Sequence, residues 1–386
     1  MRKKPKLVKV VTDSNAYLWH ISSTISRLSK NYDITIIGNG VSKFKETYES
    51  VSFIDILIER KPSPFKDLYT LIVLIILFVR IKPDIIHSLM PKSGFLSAIS
   101  GFITRVPIRI HTFTGQVWSN KKGAARYILK LFDKLVTYLN TLCLTDSHSQ
   151  SKFLLEQGIS WNNKLIPTLN KGSVCGVNIN KINEIKNTQD TPALKEKYNI
   201  TDNDFVFSYI ARKTREKGAI DIVKAFNAVS EINSSKSLKL FYIGPYEDNI
   251  KKEISLLIDK TTIIDIGLVD NIFGYLALTD VLCLPSYREG FGNIVIDAGA
   301  LHVPTLGYDI NGLSDSIKNN KTGIISEKGN VEEFVNNMDK LLNDKALVSL
   351  LGSNAFEYVK NNFDSDVISD AYHELYSQLI SSSIHS

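Results

Sequence analysis

Residues Val281–Ala298 read VLCLPSYREGFGNIVIDA. A four-residue apolar run, too short for a helix, is closed by Pro285. Two glycines follow in the next turn, and apolar residues then resume at helical spacing from Asn293. Strand, glycine-rich turn and helix in that order are the repeating unit of a doubly wound parallel sheet. Gly290 and Gly292 let the backbone turn tightly and come close to a ligand. The first amides of the helix, at Asn293, Ile294 and Val295, have no intrahelical acceptors and suit a diphosphate. Glu289 stands at the mouth of the turn, where a carboxylate can accept two sugar hydroxyls at once. Asp297, eight residues later, can accept from a ribose. A surface charge and a helix-dipole complement would explain two isolated acids equally well. The strand–turn–helix setting favours a nucleotide sugar held between them.

A second constellation lies upstream in Phe205–Gly218, FVFSYIARKTREKG. The strand ends near Ala211, and four of the six residues Arg212–Lys217 are basic. A solvated loop accounts for the charges alone. At the C-terminal end of a strand, Arg212 and Lys217 can also neutralise a diphosphate and the charge that grows on it as a glycosidic bond breaks.

Around these two stretches, short β-branched runs alternate with longer amphipathic segments. In the first half, strands are expected near Leu7–Val11, Asp33–Ile37, Asp84–His87, Arg109–Thr112 and Thr141–Thr145. Helices are expected over 17–30, 65–81, 92–104, 122–139 and 148–157. The second half repeats the plan, with strands near Phe205–Ala211, Lys239–Ile243, Thr262–Ile266, Val281–Leu284 and Thr305–Leu306. Polar, Asn- and Lys-rich residues 179–196 read as a linker. The expected organisation is a Rossmann-like acceptor- and membrane-facing domain over 1–178 and a nucleotide-sugar domain over 197–363. Residues 364–386 form a terminal helix that packs back on the first domain.

The chain has 386 residues, 44% hydrophobic and 22% charged, as ordinary globular proteins do. Three scattered cysteines, Cys143, Cys175 and Cys283, form no CxxC or Cys/His ligand spacing, so neither a disulfide framework nor a zinc site is expected. Residues 1–178 carry 25 Lys and Arg against 11 Asp and Glu, a surplus of 14, whereas residues 179–386 carry 21 against 29. The basic half is expected to face something anionic. Its cations form no run with interleaved aromatics, which argues against nucleic acid. The apolar stretch Leu68–Ile81 is too short for a transmembrane helix and reads first as a core helix. Arg60, Lys61, Lys66, Arg80 and Lys82 flank it, which also fits the surface of an anionic membrane. The apolar run after the basic N-terminus lacks the features of a signal peptide. A cytoplasmic protein, peripheral on the inner face of a bacterial cytoplasmic membrane, is expected.

Taken together, these motifs resemble family 4 of the retaining glycosyltransferases. That family shows a strand, then an Arg, then Lys-Gly opening a helix, matched by Arg212, Lys217 and Gly218. It next shows Glu-Gly-Phe-x-Asn with a second acid, matched by Glu289, Gly290, Phe291, Asn293 and Asp297. IGPYED at 243–248 and IGLVDN at 266–271 fall in the same order. The resemblance implies the GT-B fold, two facing Rossmann-like α/β domains with a cleft between them. It implies Arg212 and Lys217 on the donor diphosphate, Glu289 on the donor sugar, and the backbone from Gly290 to Val295 against sugar and phosphate. Asp297 would meet the ribose, and His111, in HTFTG, would act near the sugar. Two positions depart from the family pattern. The second acid is usually Glu, one methylene longer than Asp297, and the loop Thr12–Ala16 lacks the glycines that many members place there.

The HTFTG and GYDINGLSDS segments look most like enzymes of O-antigen or capsule synthesis. The implied activity is therefore transfer of a hexose or N-acetylhexosamine from a UDP-sugar to a polyprenyl-diphosphate-linked or other glycan acceptor. No cofactor and no metal are expected. The Asp-x-Asp at Asp202–Asp204 reads as a turn. A nucleotide-sugar epimerase of the same architecture, or an inactive scaffold subunit of a glycan-assembly complex, are the alternatives.

Overall fold

A computed structural model describes residues 4–160, 166–186, 190–247, 249–259 and 261–384. The chain divides into two compact units, Met1–Gly176 with Ser365–Ser386, and Val177–Asp364.

The first unit is built on β1 (Lys6–Asp13), β2 (Asp33–Asn39), β3 (Val51–Asp55), β4 (Ile85–Leu89), β5 (Ile108–Phe113) and β6 (Leu142–Thr145). They form one sheet in the order β3-β2-β1-β4-β5-β6, parallel throughout. Its helices are α1 (Ser14–His20), α2 (Ser22–Leu28), α3 (Pro64–Ile81), α4 (Pro91–Ile103), α5 (Gly123–Leu139) and α6 (His148–Glu156). Central strands such as β4 are buried along their whole length, because crossover helices cover both faces of a parallel sheet.

The second unit opens with α7 (Ile179–Lys186) and α8 (Asp190–Lys197), then β7 (Phe205–Ile210), α9 (Ala219–Ile232), β8 (Leu238–Ile243), α10 (Lys251–Ser255) and β9 (Ile263–Ile266). It continues through α11 (Phe273–Leu276), β10 (Val281–Leu284), α12 (Asn293–Gly299), β11 (Thr305–Tyr308) and α13 (Leu313–Ser316). It ends with β12 (Gly323–Ser326), α14 (Val331–Asn343) and α15 (Lys345–Asn362). Its sheet order is β12-β11-β10-β7-β8-β9. Counted from its own first strand, that is the order of the first sheet. In both, the chain starts at the centre, works to one edge, and returns to fill the other side. The reversal lies between β1 and β4 in one unit and between β7 and β10 in the other, the crevice where ligands of such sheets bind.

The final helix, α16 (Ser365–Ile384), belongs to the first unit. Arg27 holds Asp370 through two bonds of 2.6 and 2.7 Å. Tyr376 Oη lies 2.6 Å from His87 Nδ1 on β4, and the Lys9 ammonium sits 4.6 Å from the Tyr372 ring centre. Lys9 is fully buried, and burial pushes its pKa down to about 7.

Three features differ from the sequence reading. The stretch read as a linker is helical at Ile179–Lys186 and Asp190–Lys197, because Ile179 and Ile182 are buried and Asn178 Oδ1 accepts from the Lys181 amide. The helix expected over 17–30 breaks at Ile21, where φ is −133°. Strands β3 and β12 went unread; β3 is a five-residue edge strand with two fully exposed side chains, and β12 has only four residues.

Candidate active site

The reversal between β7 and β10 explains why two stretches about seventy residues apart in sequence come together. The loop after β7 carries Arg212 and Lys217, and the loop after β10 carries Glu289. Neighbouring strands deliver both loops to the same end of the sheet. Lys217 Nζ lies 2.7 Å from Glu289 Oε2 and donates to the Arg288 carbonyl at 3.1 Å. Both side chains are only 14% exposed, so the pair is held mostly out of bulk water.

Beside it runs a second pair made by the preceding residue of each loop. Glu216 takes two bonds from the Arg288 guanidinium, one of them at 2.9 Å, while the Tyr287 amide donates to Glu216 O at 2.9 Å. The buried Tyr209 hydroxyl faces the carbonyls of Arg212 (3.0 Å) and Lys217 (3.1 Å), closing the ends of the basic loop on one phenol. Asp221 accepts from Tyr287 and Tyr308 at 2.7 and 3.1 Å, fixing the start of the acidic loop to α9. Sequence reasoning missed this supporting layer. Its only trace was the placing of Glu-Lys in one loop and Arg-Glu in the other.

All four cations of the basic loop meet carboxylates. Arg212 pairs with Glu247 at 2.6 Å, the fully buried Lys213 with Asp265 at 2.5 Å, and Arg215 with Glu253. Lys217 alone meets an acid read from the sequence as a donor ligand. Arg212 thus stands in the same loop as Lys217 but turns toward the loop after β8. A cavity of about 610 Å³ in this unit lies elsewhere, lined by Tyr198, Lys239, Tyr246 and Asp265 among others, and holds none of these donor-site residues.

Gly218 and Gly292 both need positive φ, at 69° and 83°. Gly292 leads into α12 and bends the chain sharply enough for the Val295 amide to donate to its carbonyl at 2.9 Å. The Val295 amide, expected to be open to a ligand, is therefore engaged. The Phe291 side chain is buried, 5.1 Å from the Phe363 ring, so only its backbone can face a ligand. Asn293 and Ile294 begin α12 and are half-buried.

Asp297, also half-buried, has its pKa pushed up to about 7 by burial. The unfolded chain ionises this group near 3.8, so between that value and about 7 the folded state holds the extra proton and stability falls as pH rises. Asp297→Asn is expected to raise Tm over wild type, by a margin that grows from pH 4 to pH 7 and then levels. A margin independent of pH in thermal melts would show that Asp297 titrates normally.

In the first unit, His111 stands near the C-terminal end of β5. Its Nδ1 lies 3.1 Å from Ser88 Oγ, and its ring meets Phe113 edge-on at 4.6 Å. Gly94 lies so close that a Cβ there would fall 2.2 Å from the imidazole Cε1. Burial pushes its pKa down to about 3, so the ring is neutral at any working pH. In the loop after β1, Asp13 Oδ1 accepts from the Asn15 and Ala16 amides at 3.0 and 2.9 Å. Its carboxylate takes the place a phosphate would need at the start of α1. Asp204 is spent on Thr201 and Ser237, and Asp202 on Lys195.

The family described as Glycosyl transferases group 1 matches residues 190–358, and that described as Glycosyl transferase 4-like matches residues 9–138. The capsular polysaccharide biosynthesis glycosyltransferase CapM of Staphylococcus aureus is 30% identical over 358 residues, 92% of each chain. The chain belongs to the glycosyltransferases. This glycosyltransferase is also 25% identical, over 83% of its length and 82% of the relative's, to an Escherichia coli enzyme. That enzyme is UDP-Gal:alpha-D-GlcNAc-diphosphoundecaprenol alpha-1,3-galactosyltransferase. In fold it is similar to a glycosyltransferase from Rickettsia africae, with a TM-score of 0.78 at 19% identity, covering 98% and 99% of the two chains. The two six-stranded parallel sheets flanked by helices are those of the GT-B glycosyltransferases.

Proposed function

We propose that this glycosyltransferase moves a hexose or N-acetylhexosamine from a UDP-sugar to a lipid-linked glycan acceptor of the capsule or O-antigen type, with retention and without a metal ion. The observation that carries the reading is the Lys217–Glu289 pair at the strand reversal. It sets a cation for phosphate beside a carboxylate for sugar hydroxyls. The names of the S. aureus and E. coli relatives support the glycan class, the UDP donor and the diphosphoundecaprenol-linked acceptor.

In this mechanism Lys217 and Arg212 neutralise the diphosphate, each exchanging its acidic partner for phosphate oxygens. Glu289 then accepts from the donor sugar, the backbone from Gly290 to Ile294 lies against sugar and phosphate, and Asp297 takes the ribose. His111, neutral and held by Ser88, offers a hydrogen bond rather than a charge. The bond from the anomeric carbon to phosphate breaks while the acceptor hydroxyl attacks from the same face. The acceptor proton passes to the departing phosphate oxygen. Two fixed cations can stabilise that leaving group electrostatically, the work a divalent ion does elsewhere.

Thermal unfolding against UDP, GDP, ADP and their sugars is the first test. A rise in Tm specific to UDP-linked compounds is expected. The product linkage, read from its anomeric proton coupling, is expected to match the donor's configuration, with turnover unchanged by a chelator. An inverted linkage would overturn the mechanism, and a chelator-sensitive rate the metal independence.

A further inference from the structure

On the surface helix of a soluble domain, apolar side chains turn inward and charges turn out. Helix α5 does the reverse. Tyr127, Ile128, Leu131, Phe132, Leu135 and Tyr138 are all exposed, Tyr127 to 66% and Tyr138 to 50%. Their spacing makes one stripe along the helix, with tyrosines at its two ends ~16 Å apart.

The charged residues of the same helix are half-buried, whereas Leu131 and Leu135 are exposed. Arg126 and Lys130 lie over the Trp118 ring at 5.4 Å each, and Asp133 accepts from Trp118 Nε1 at 2.7 Å. The half-buried Asp133 has its pKa pushed up to about 7 by burial. The buried Trp118 thus gathers Arg126, Lys130 and Asp133 around itself and leaves the apolar stripe outward.

A second helix extends the face. The right-handed crossovers from β3 to β4, β4 to β5 and β5 to β6 bring α3, α4 and α5 to one side of the sheet. Both α3 and α5 pack against α4. The apolar stretch of α3 has an inner edge, Leu74 and Phe78, in the core, while Leu68, Tyr69, Ile72, Ile76 and Val79 are exposed. Exposed cations border the face at the ends of these helices: Arg80 in the last turn of α3 and Lys82 just after it, Arg105 after α4, Lys121 and Lys122 before α5.

We infer that α5, with α3 beside it, is the face by which this chain lies in the surface of an anionic bilayer. The stripe enters the boundary of the acyl chains, the terminal tyrosines sit at headgroup level, and the bordering cations meet lipid phosphates. Charge decides against a second copy of the chain as the occupant. Two such faces would bring together like-charged rims from a half with a surplus of 14 positive charges. The inference uses no donor-site residue, so it stands or falls apart from the sugar-transfer reading.

The test is flotation of the full chain with vesicles of phosphatidylglycerol and phosphatidylcholine, and with phosphatidylcholine alone. Wild type is expected to float with the anionic vesicles. Leu131→Glu with Leu135→Glu is expected to lower the partition coefficient by about tenfold or more, since two exposed leucines that would enter the bilayer are exchanged for charges facing lipid phosphate. Leu350→Glu, at a more exposed leucine on α15, serves as the control and is expected to float as wild type does. An unchanged melting temperature would show that the double variant folds. Should it not fold, Lys121→Gln with Lys122→Gln is expected to weaken flotation with anionic vesicles alone. Wild type left in the soluble fraction, or a double variant that floats equally well, would overturn the inference. So would a wild-type dimer in sedimentation that the double variant abolishes, which would assign the face to a second copy.

Discussion

Lys217→Ala is expected to lower kcat by about 100- to 1,000-fold, the range seen when one preorganised charge-stabilising donor is removed from an active site. Lys217 Nζ touches Glu289 at 2.7 Å in a pair only 14% exposed on each side, so the variant also leaves a carboxylate without its cation. That strands part of a desolvated charge and is expected to lower stability by about 1–3 kcal/mol, less than for a fully buried pair. The Tm rise given by UDP compounds should vanish with the activity. Steady-state kinetics together with nucleotide-dependent melts check both. A variant with near-normal kcat would remove Lys217 from the chemistry and leave it a structural partner of Glu289.

Gly218→Ala is expected to have the larger effect on stability. The residue sits at φ 69°, and a Cβ there would lie 1.8 Å from the Pro285 carbonyl oxygen. The left-handed conformation alone costs an alanine about 1 kcal/mol. The clash adds more, because the atom in the way is backbone and belongs to the first residue of the acidic loop. A loss of about 3 kcal/mol or more, or a Tm lower by ~6–12 °C, is expected. Gly123→Ala separates the two contributions. Gly123 has φ 63° with nothing within 4 Å of an added Cβ, so that variant bears only the conformational penalty. Equal melting of the two variants would show that the approach of Gly218 to Pro285 is not tight. Activity of Gly218→Ala should fall even where the protein remains folded, because moving Pro285 moves Glu289.

Much of the candidate donor site could be proposed from sequence because its motifs are local. Strand, glycine turn and helix around Glu289 announce themselves in consecutive residues, and so does the Arg-to-Lys-Gly loop before α9. The glycines at 218 and 292 could be read as turn positions, since glycine takes positive φ at no steric cost. Short strands and a polar helix were less legible for a physical reason. Strand β12 offers only two apolar side chains, Ile324 and Ile325, and edge strand β3 leaves two of its five residues exposed, so neither prints a clear apolar pattern. Three isoleucines, at 179, 182 and 185, are all that marks the otherwise polar α7 as helix rather than linker.

The sequence by itself determined the alternation of strands and helices, the two halves of opposite charge, and which residue types could hold a sugar and a diphosphate. Those follow from local propensity and from composition, which need no partner in space. Only the tertiary structure decided which groups meet. It separated Lys217, joined to Glu289, from Arg212, Lys213 and Arg215, joined to other acids. It engaged the Val295 amide in a tight turn and drew Arg126, Lys130 and Asp133 of α5 around Trp118, leaving the apolar stripe outward. Pairings of this kind depend on strand order and on residues far apart in the chain, and no run of neighbouring residues records them.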